Sequence, residues 1–193
     1  MSLLLNPEYW NTRYLDQETG WDIGYPSTPI AAYIDQLENP HLNILIPGSG
    51  NGYEAEYIWE SGFDHINVLD YSADALAGFR KRVPDFPEDQ IHEGDFFAHE
   101  GSYDLIIEQT FFCAIDKNLR PAYVEKMRSL LKPGGKLVGL LFNDPLFEDH
   151  PPFGGSPLEY LGHFQPHFDE LYMKPCYNSI EARAGRELFV KFT

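Results

Sequence analysis

Apolar residues fall into two alternating kinds of spacing along the chain. Continuous short runs occur at Ile44 to Ile46, at Ile66, Val68 and Leu69, at Tyr103 to Ile107 and, longer, at Lys136 to Phe142. Such runs predict strands buried on both faces. Between them lie helical periods: Ala55, Ile58 and Trp59, then Leu76, Phe79 and Val83, then Tyr123, Met127 and Leu130. The punctuation agrees with this reading. Gly62 stops the first helix, and Lys132-Pro133-Gly134-Gly135 stops the third. Ser72 caps the second, whose negative end carries Arg80, Lys81 and Arg82. Gln90 to His92 adds a weak strand. Strand and helix in alternation predict an α/β fold: a doubly wound, mostly parallel sheet with helices on both faces.

The two ends depart from this rhythm. Asn6 to Gln17 reads as a helix, with Asn6 as cap, Pro7 in the first turn and Glu8 at the positive end. Trp10 and Tyr14 share one face of it. Gly20-Trp21-Asp22 and the Pro26/Pro29 segment break the pattern before a short helix from Pro29 to Leu37. Trp10, Tyr14 and Trp21 either pack this segment on the body or form an aromatic lid over a ligand. Near the other end, His150 to Pro157 is too rich in proline and glycine to be an element, and is a candidate pocket rim. A helix follows over Leu158 to Phe164. Glu170 to Cys176 and Glu187 to Phe192 then read as strands joined without a helical crossover, hence antiparallel. The expected organisation is one domain, with a lid segment over 1–37 and a core over 38–193.

Chemistry concentrates at the strand ends. The stretch NILIPGSGNGY, Asn43 to Tyr53, is a strand, a glycine turn and a helix start. Its spacing, G-x-G-x-G, differs from the dinucleotide fingerprint G-x-G-x-x-G and suits a ligand bearing a carboxylate and an amino group. Asp70 ends the next strand, 22 positions after Gly48. An acidic residue there is placed to bind ribose hydroxyls, or else is a solvated start of the Ser72 turn. Asp95 and Phe96 follow the third strand, where a carboxylate accepts from an adenine amino group while a ring packs on the base; a plain turn reads equally well. Glu108 and Gln109 leave the central strand into Phe111-Phe112-Cys113-Ala114-Ile115, beside the switch point where a reaction centre is expected.

Composition narrows the partners. A formal net charge of −16 argues against nucleic acid or an anionic membrane. Two cysteines, Cys113 and Cys176, make no disulfide framework and read as reduced thiols of a cytoplasmic protein. No run is long enough to span a bilayer, and the start MSLLLNPEYW lacks a signal-peptide pattern. The histidines show no ligand spacing, and Pro166 separates His163 from His167, so no metal is expected.

The residues just named, with Asp104-Leu105-Ile106, Arg120-Pro121 and Pro151-Pro152-Phe153, resemble the class I S-adenosylmethionine-dependent methyltransferases. The chain is similar, over nearly its whole length, to their thiopurine methyltransferase-like group and especially to the halide/thiol methyltransferases. That resemblance implies a seven-stranded sheet with one antiparallel strand near the end. It places Gly48 beside the methionyl part of the cofactor, Gly50 also against the cofactor, Asp70 on the ribose, and Asp95 and Phe96 on the adenine. Trp10, Tyr14 and Trp21 would close over the cofactor, and Gln109 would lie near the transferred methyl. Phe111, Phe112, Pro152 and Phe153 would line the acceptor side. The chain departs from the wider pattern at Ile46, Ser49 and Gln109, where an acidic residue, a cysteine and a tyrosine are common.

The expected reaction is in-line transfer of the sulfonium methyl to a soft nucleophile, most simply a small thiol, which needs no general base. Arg13, Arg183 and Arg186 are candidate cations for an anionic acceptor, or surface ion pairs. O-methylation with Glu108 as base, a noncatalytic cofactor-binding module and a dinucleotide-dependent oxidoreductase are the other readings. A monomer or weak homodimer is expected.

Overall fold

The computed structural model describes residues 4–193. In chain order, α1 (Pro7–Leu15) and α2 (Thr28–Ile34) precede β1 (Ile44–Pro47) and α3 (Tyr53–Glu60). Next come β2 (Ile66–Asp70), α4 (Ala73–Arg82), β3 (Ile91–Glu93), β4 (Tyr103–Gln109), α5 (Arg120–Leu130) and β5 (Leu131–Phe142). The last part holds β6 (Asp144–Leu146), β7 (Phe153–Gly155), α6 (Pro157–Phe164), β8 (Leu171–Pro175) and β9 (Glu187–Phe192).

Seven strands form one sheet in the order β3-β2-β1-β4-β5-β9-β8. The first five are mutually parallel, and β9 runs antiparallel to both β5 and β8. The strand order reverses between β1 and β4, which opens a crevice beyond their carboxyl ends.

The continuous apolar strands are explained by two cores, one on each face. Ile44, Ile46, Leu105 and Ile107 pack with Ile30 and Ile34 of α2, Ala55 and Ile58 of α3, and Leu76 and Phe79 of α4. Leu45 and Ile106, one position out of phase, pack with Tyr123, Val124 and Met127 of α5 and Tyr160 and Phe164 of α6. Successive side chains on a strand point to opposite faces, so both faces must be apolar to be covered. The expected caps form: Asn6 Oδ1 accepts from Tyr9 N, and Ser72 Oγ accepts from Ala75 N.

Two expectations change. Lys132-Pro133-Gly134-Gly135 does follow α5, but β5 already begins at Leu131, which pairs with Tyr103 before Lys136 pairs with Leu105. The motif is therefore an outward loop within the strand pairing. His150 to Pro157, expected to hold no element, contains β7, which pairs with β6 as an antiparallel hairpin. Tertiary contacts stabilise it: Phe153 N donates to Cys113 O at 2.7 Å, and buried Arg120 donates to Gly154 O at 2.9 Å.

Candidate functional site

The glycine turn after β1 is tied to the end of β2. Asp70 Oδ2 accepts from Gly50 N at 2.7 Å, and Oδ1 accepts from Ser72 N at 2.8 Å. Burial pushes this carboxyl's pKa up, while the surrounding amides oppose the shift. A carboxylate has further lone pairs, so each oxygen retains capacity for a ligand hydroxyl. Gly48 and Gly50 have φ of +61° and +54°, where a side chain is strained. A Cβ on Gly48 would also strike the Phe111 ring, and one on Gly50 would lie 2.5 Å from the Tyr14 hydroxyl.

Above this turn lies a cleft of about 850 Å³. At one end Trp10, Tyr14 and Trp21 face Gly48, Gly50, Asp70 and Tyr71, with Phe96 and Phe97 beside them. Phe111, against Gly48, leads to the remaining wall, lined by Cys113, Leu146, Phe147, His150, Pro151, Pro152 and Arg186. Gln109 lines the cleft as well. Trp21 stands edge-on to both Trp10 and Tyr14, with centroid distances of 5.5 and 5.9 Å. This aromatic segment is held by polar latches. Ser72 Oγ bonds to Asn11 Oδ1 at 2.7 Å, Asn51 donates to the Asp22 carboxylate, and Arg183 donates to Trp21 O at 2.7 Å. No residue of α1 is buried, so those latches and the three rings carry its attachment.

The fit to an amino-acid-bearing nucleoside can be tested on polar atoms left over. Ser49 Oγ and Gln109 Oε1 are buried, line the cleft and have no partner among the described residues. A buried polar atom without a partner is costly, and a hydroxyl plus an amide oxygen suit a carboxylate and an ammonium group. The donor set fits the expected cofactor.

The structure gathers most, not all, of the sequence candidates. Trp10, Tyr14, Trp21, Gly48, Gly50, Asp70, Phe96, Gln109, Phe111 and Pro152 all line the cleft. Glu108, Phe112, Phe153 and Asp95 do not. Glu108 follows Ile107 on β4 and points to the face opposite Gln109, where it is 1% exposed. Its Oε1 accepts from Phe111 N and Phe112 N at 2.8 and 2.9 Å, and its Oε2 accepts from the Tyr123 hydroxyl. Burial raises its pKa to about 7 despite those donors. It is a buried structural carboxylate, not a base at the cleft wall. Phe112 is packed between Tyr123, Tyr160 and Phe164 with Arg120 over its face. Phe153 is likewise buried in the hairpin. Asp95 is exposed, and its Oδ1 accepts from Phe97 N at 2.9 Å.

The three candidate arginines are all paired. Arg13 meets Glu18 at 2.6 Å, Arg186 meets Asp144 at 2.5 Å, and Arg183 lies 3.7 Å from Glu187. Arg183 is no surface residue: it is buried, lines the cleft and donates to Trp21 O. Sequence reading missed Tyr71, Phe97, Phe142, Leu146 and Phe147 as wall residues. Leu146 ends β6 and Phe147 follows it in the hairpin, a stretch that gave no strand signal of its own.

A seven-stranded sheet with one reversed strand, a glycine turn after β1 and a carboxylate closing β2 define a class I S-adenosylmethionine-dependent methyltransferase. Comparison with known proteins narrows the class. A family profile described as thiopurine S-methyltransferase matches residues 5–172, and the chain belongs to that family. A probable thiol methyltransferase 2 of Arabidopsis thaliana is 33% identical over 156 residues, covering 78% of this chain and 69% of its own. A thiocyanate methyltransferase 1 from the same plant is 31% identical, covering 77% and 65%. Among solved structures, a TehB-like SAM-dependent methyltransferase from Corynebacterium glutamicum superposes with a TM-score of 0.68 at 19% identity, covering 97% of each chain. That last likeness bears on the fold.

Proposed function

We propose that this enzyme transfers a methyl group from S-adenosylmethionine to the sulfur of a small apolar or aromatic thiol. The observation that carries this reading is the continuity of the cleft. One cleft takes in the glycine turn and Asp70, the Gln109 Oε1 that has no partner among the described residues, and Leu146, Phe147 and Pro152 with His150 against the Phe147 ring.

When bound, the cofactor supplies an activated sulfonium methyl. The chain's residues bind, orient and exclude water. Asp70 and the turn amides take the ribose side, and Ser49 and Gln109 take the amino-acid end. Trp10, Tyr14 and Trp21 shield the cleft, their ring faces favouring a cation. Phe111, Cys113, Leu146, Phe147 and Pro152 receive the acceptor sulfur in a water-poor surround, where alignment supplies most of the acceleration. In this reading residues before 38 act as the lid, and residues 38–193 as the core of a single domain. The enzyme works in the cytoplasm as a monomer or weak homodimer.

The pairing of Arg13, Arg183 and Arg186 leaves none of these three cations free to attract an inorganic anion, which favours the thiol. The relatives named for thiol and thiocyanate methylation bracket the choice. O-methylation loses its support because Glu108 does not reach the wall.

The test is S-adenosylhomocysteine production with thiophenol, an alkanethiol, hydrosulfide, thiocyanate, iodide and a catechol, alongside calorimetric binding of S-adenosylhomocysteine. The expected result is turnover highest with the apolar thiols. Tight binding with no sulfur-dependent turnover would overturn the thiol assignment, and absence of binding would remove the cofactor assignment too.

A further inference from the structure

The least explained group in the molecule is the buried carboxylate of Glu108, next to the cleft but turned away from it. Its three hydrogen bonds do not serve β4 itself. They reach forward to Phe111 N and Phe112 N and sideways to Tyr123 on α5. Between carboxylate and amides, Thr110 adopts a left-handed φ of +58°, an unfavourable backbone for a β-branched residue. The carboxylate therefore holds a turn that local preference would not form.

That turn is the base of the acceptor wall. Phe111, whose amide is bonded, lays its ring against Gly48. Cys113 closes the turn through its thiol, which donates to Thr110 O at 3.3 Å. Its carbonyl accepts Phe153 N, the bond that joins the β6–β7 hairpin, and with it Pro152, to the wall. The carboxylate thus sets the turn directly and reaches the hairpin through the Cys113 carbonyl, which shares that task with Arg120 on Gly154 O.

We propose that Glu108 is the positioning residue of the acceptor pocket, setting the turn that places Phe111, Cys113 and Pro152 without touching either substrate. This rests on the methyltransferase reading of the cleft. The cofactor end has anchors of its own, Asp70 on Gly50 and Ser72, and meets this turn where the Phe111 ring lies against Gly48. Loss of the Glu108 acceptor oxygens accordingly acts on acceptor use while cofactor binding persists.

Two variants and two readouts test this. Glu108→Leu keeps the size and removes both acceptor oxygens, and Glu108→Gln keeps one oxygen for the two amides. In Glu108→Leu, hydrogen–deuterium exchange over residues 110–115 should quicken by about tenfold or more, because the half-buried Phe111 amide and the buried Phe112 amide lose their partner. Its kcat/KM for the best thiol should fall by about 30-fold or more, with the S-adenosylhomocysteine Kd changed by less than about threefold. Glu108→Gln should recover most of both the exchange protection and the kcat/KM. Unchanged exchange in Glu108→Leu would overturn the inference, whatever the activity. So would a parallel loss of cofactor affinity, or a Glu108→Gln as impaired as Glu108→Leu. Failure of every acceptor with wild-type protein would instead tell against the methyltransferase reading, and the exchange comparison would still decide the role of Glu108.

Discussion

Neighbouring residues on β4 show how one position decides a role. Gln109 lines the cleft with an unpartnered oxygen, while Glu108, one residue earlier, is buried among its donors on the other face. Burial also leaves a trace in stability. Glu108 titrates near 7 in the folded chain against an ordinary value near 4.5, so between those limits the folded state holds a proton that the unfolded state has lost. Stability then falls as pH rises from about 4.5 to 7, by on the order of 3 kcal/mol from this group, and is level above that. The raised pKa of Asp70 acts in the same direction. Urea unfolding at pH 5 and pH 7.5 should show the loss in wild type, and Glu108→Gln should remove the Glu108 share. An equal pH dependence in the variant would show that the charge of Glu108 costs the fold nothing.

Elements differ in how firmly the fold holds them. α5 buries Arg120, Tyr123, Val124, Met127 and Leu130, whereas α1 buries none of its residues. Helices with few buried apolar contacts open at low free energy. Amides of α1 are therefore expected to exchange at least about 100-fold faster than those of α5. Saturating S-adenosylhomocysteine should slow α1 and leave α5 unchanged, because the rings of Trp10 and Tyr14 close on that end of the cleft. Equal protection of the two helices without ligand would contradict a lid held by latches. The hairpin makes the opposite point. β6 and β7 have three residues each, weak alone, and owe their pairing to Arg120 and the Cys113 carbonyl.

At the scale of the whole molecule, the net charge of −16 sets a field that every acceptor meets. An anion approaching an acidic surface is repelled, and salt screens the repulsion over a Debye length of about 8–10 Å at physiological strength. The KM for thiocyanate or iodide, if either is used, should fall as salt rises from about 20 to 200 mM, while that for a neutral alkanethiol stays level. Initial rates at two salt concentrations measure this. A KM for the anions that rises with salt would mean a local cationic site outweighs the global charge.

The sequence determined the α/β alternation, the glycine turn, Asp70 and the aromatic set of Trp10, Tyr14 and Trp21. Those features are local: period, capping and strand-end chemistry act within a few residues, so they are legible in one dimension. The tertiary structure decided what depends on facing partners. It turned Phe112 and Phe153 from acceptor-side candidates, and Glu108 from a candidate base, into supports, buried Arg183 on the Trp21 carbonyl, and made a hairpin from a proline-rich stretch. A side chain's role there depends on which way a strand turns it and on what lies opposite. Buried carboxylates and breaker-rich strands are unfavourable by local rules, and partners distant in sequence, such as Tyr123 for Glu108 and Arg120 for β7, help to offset that cost.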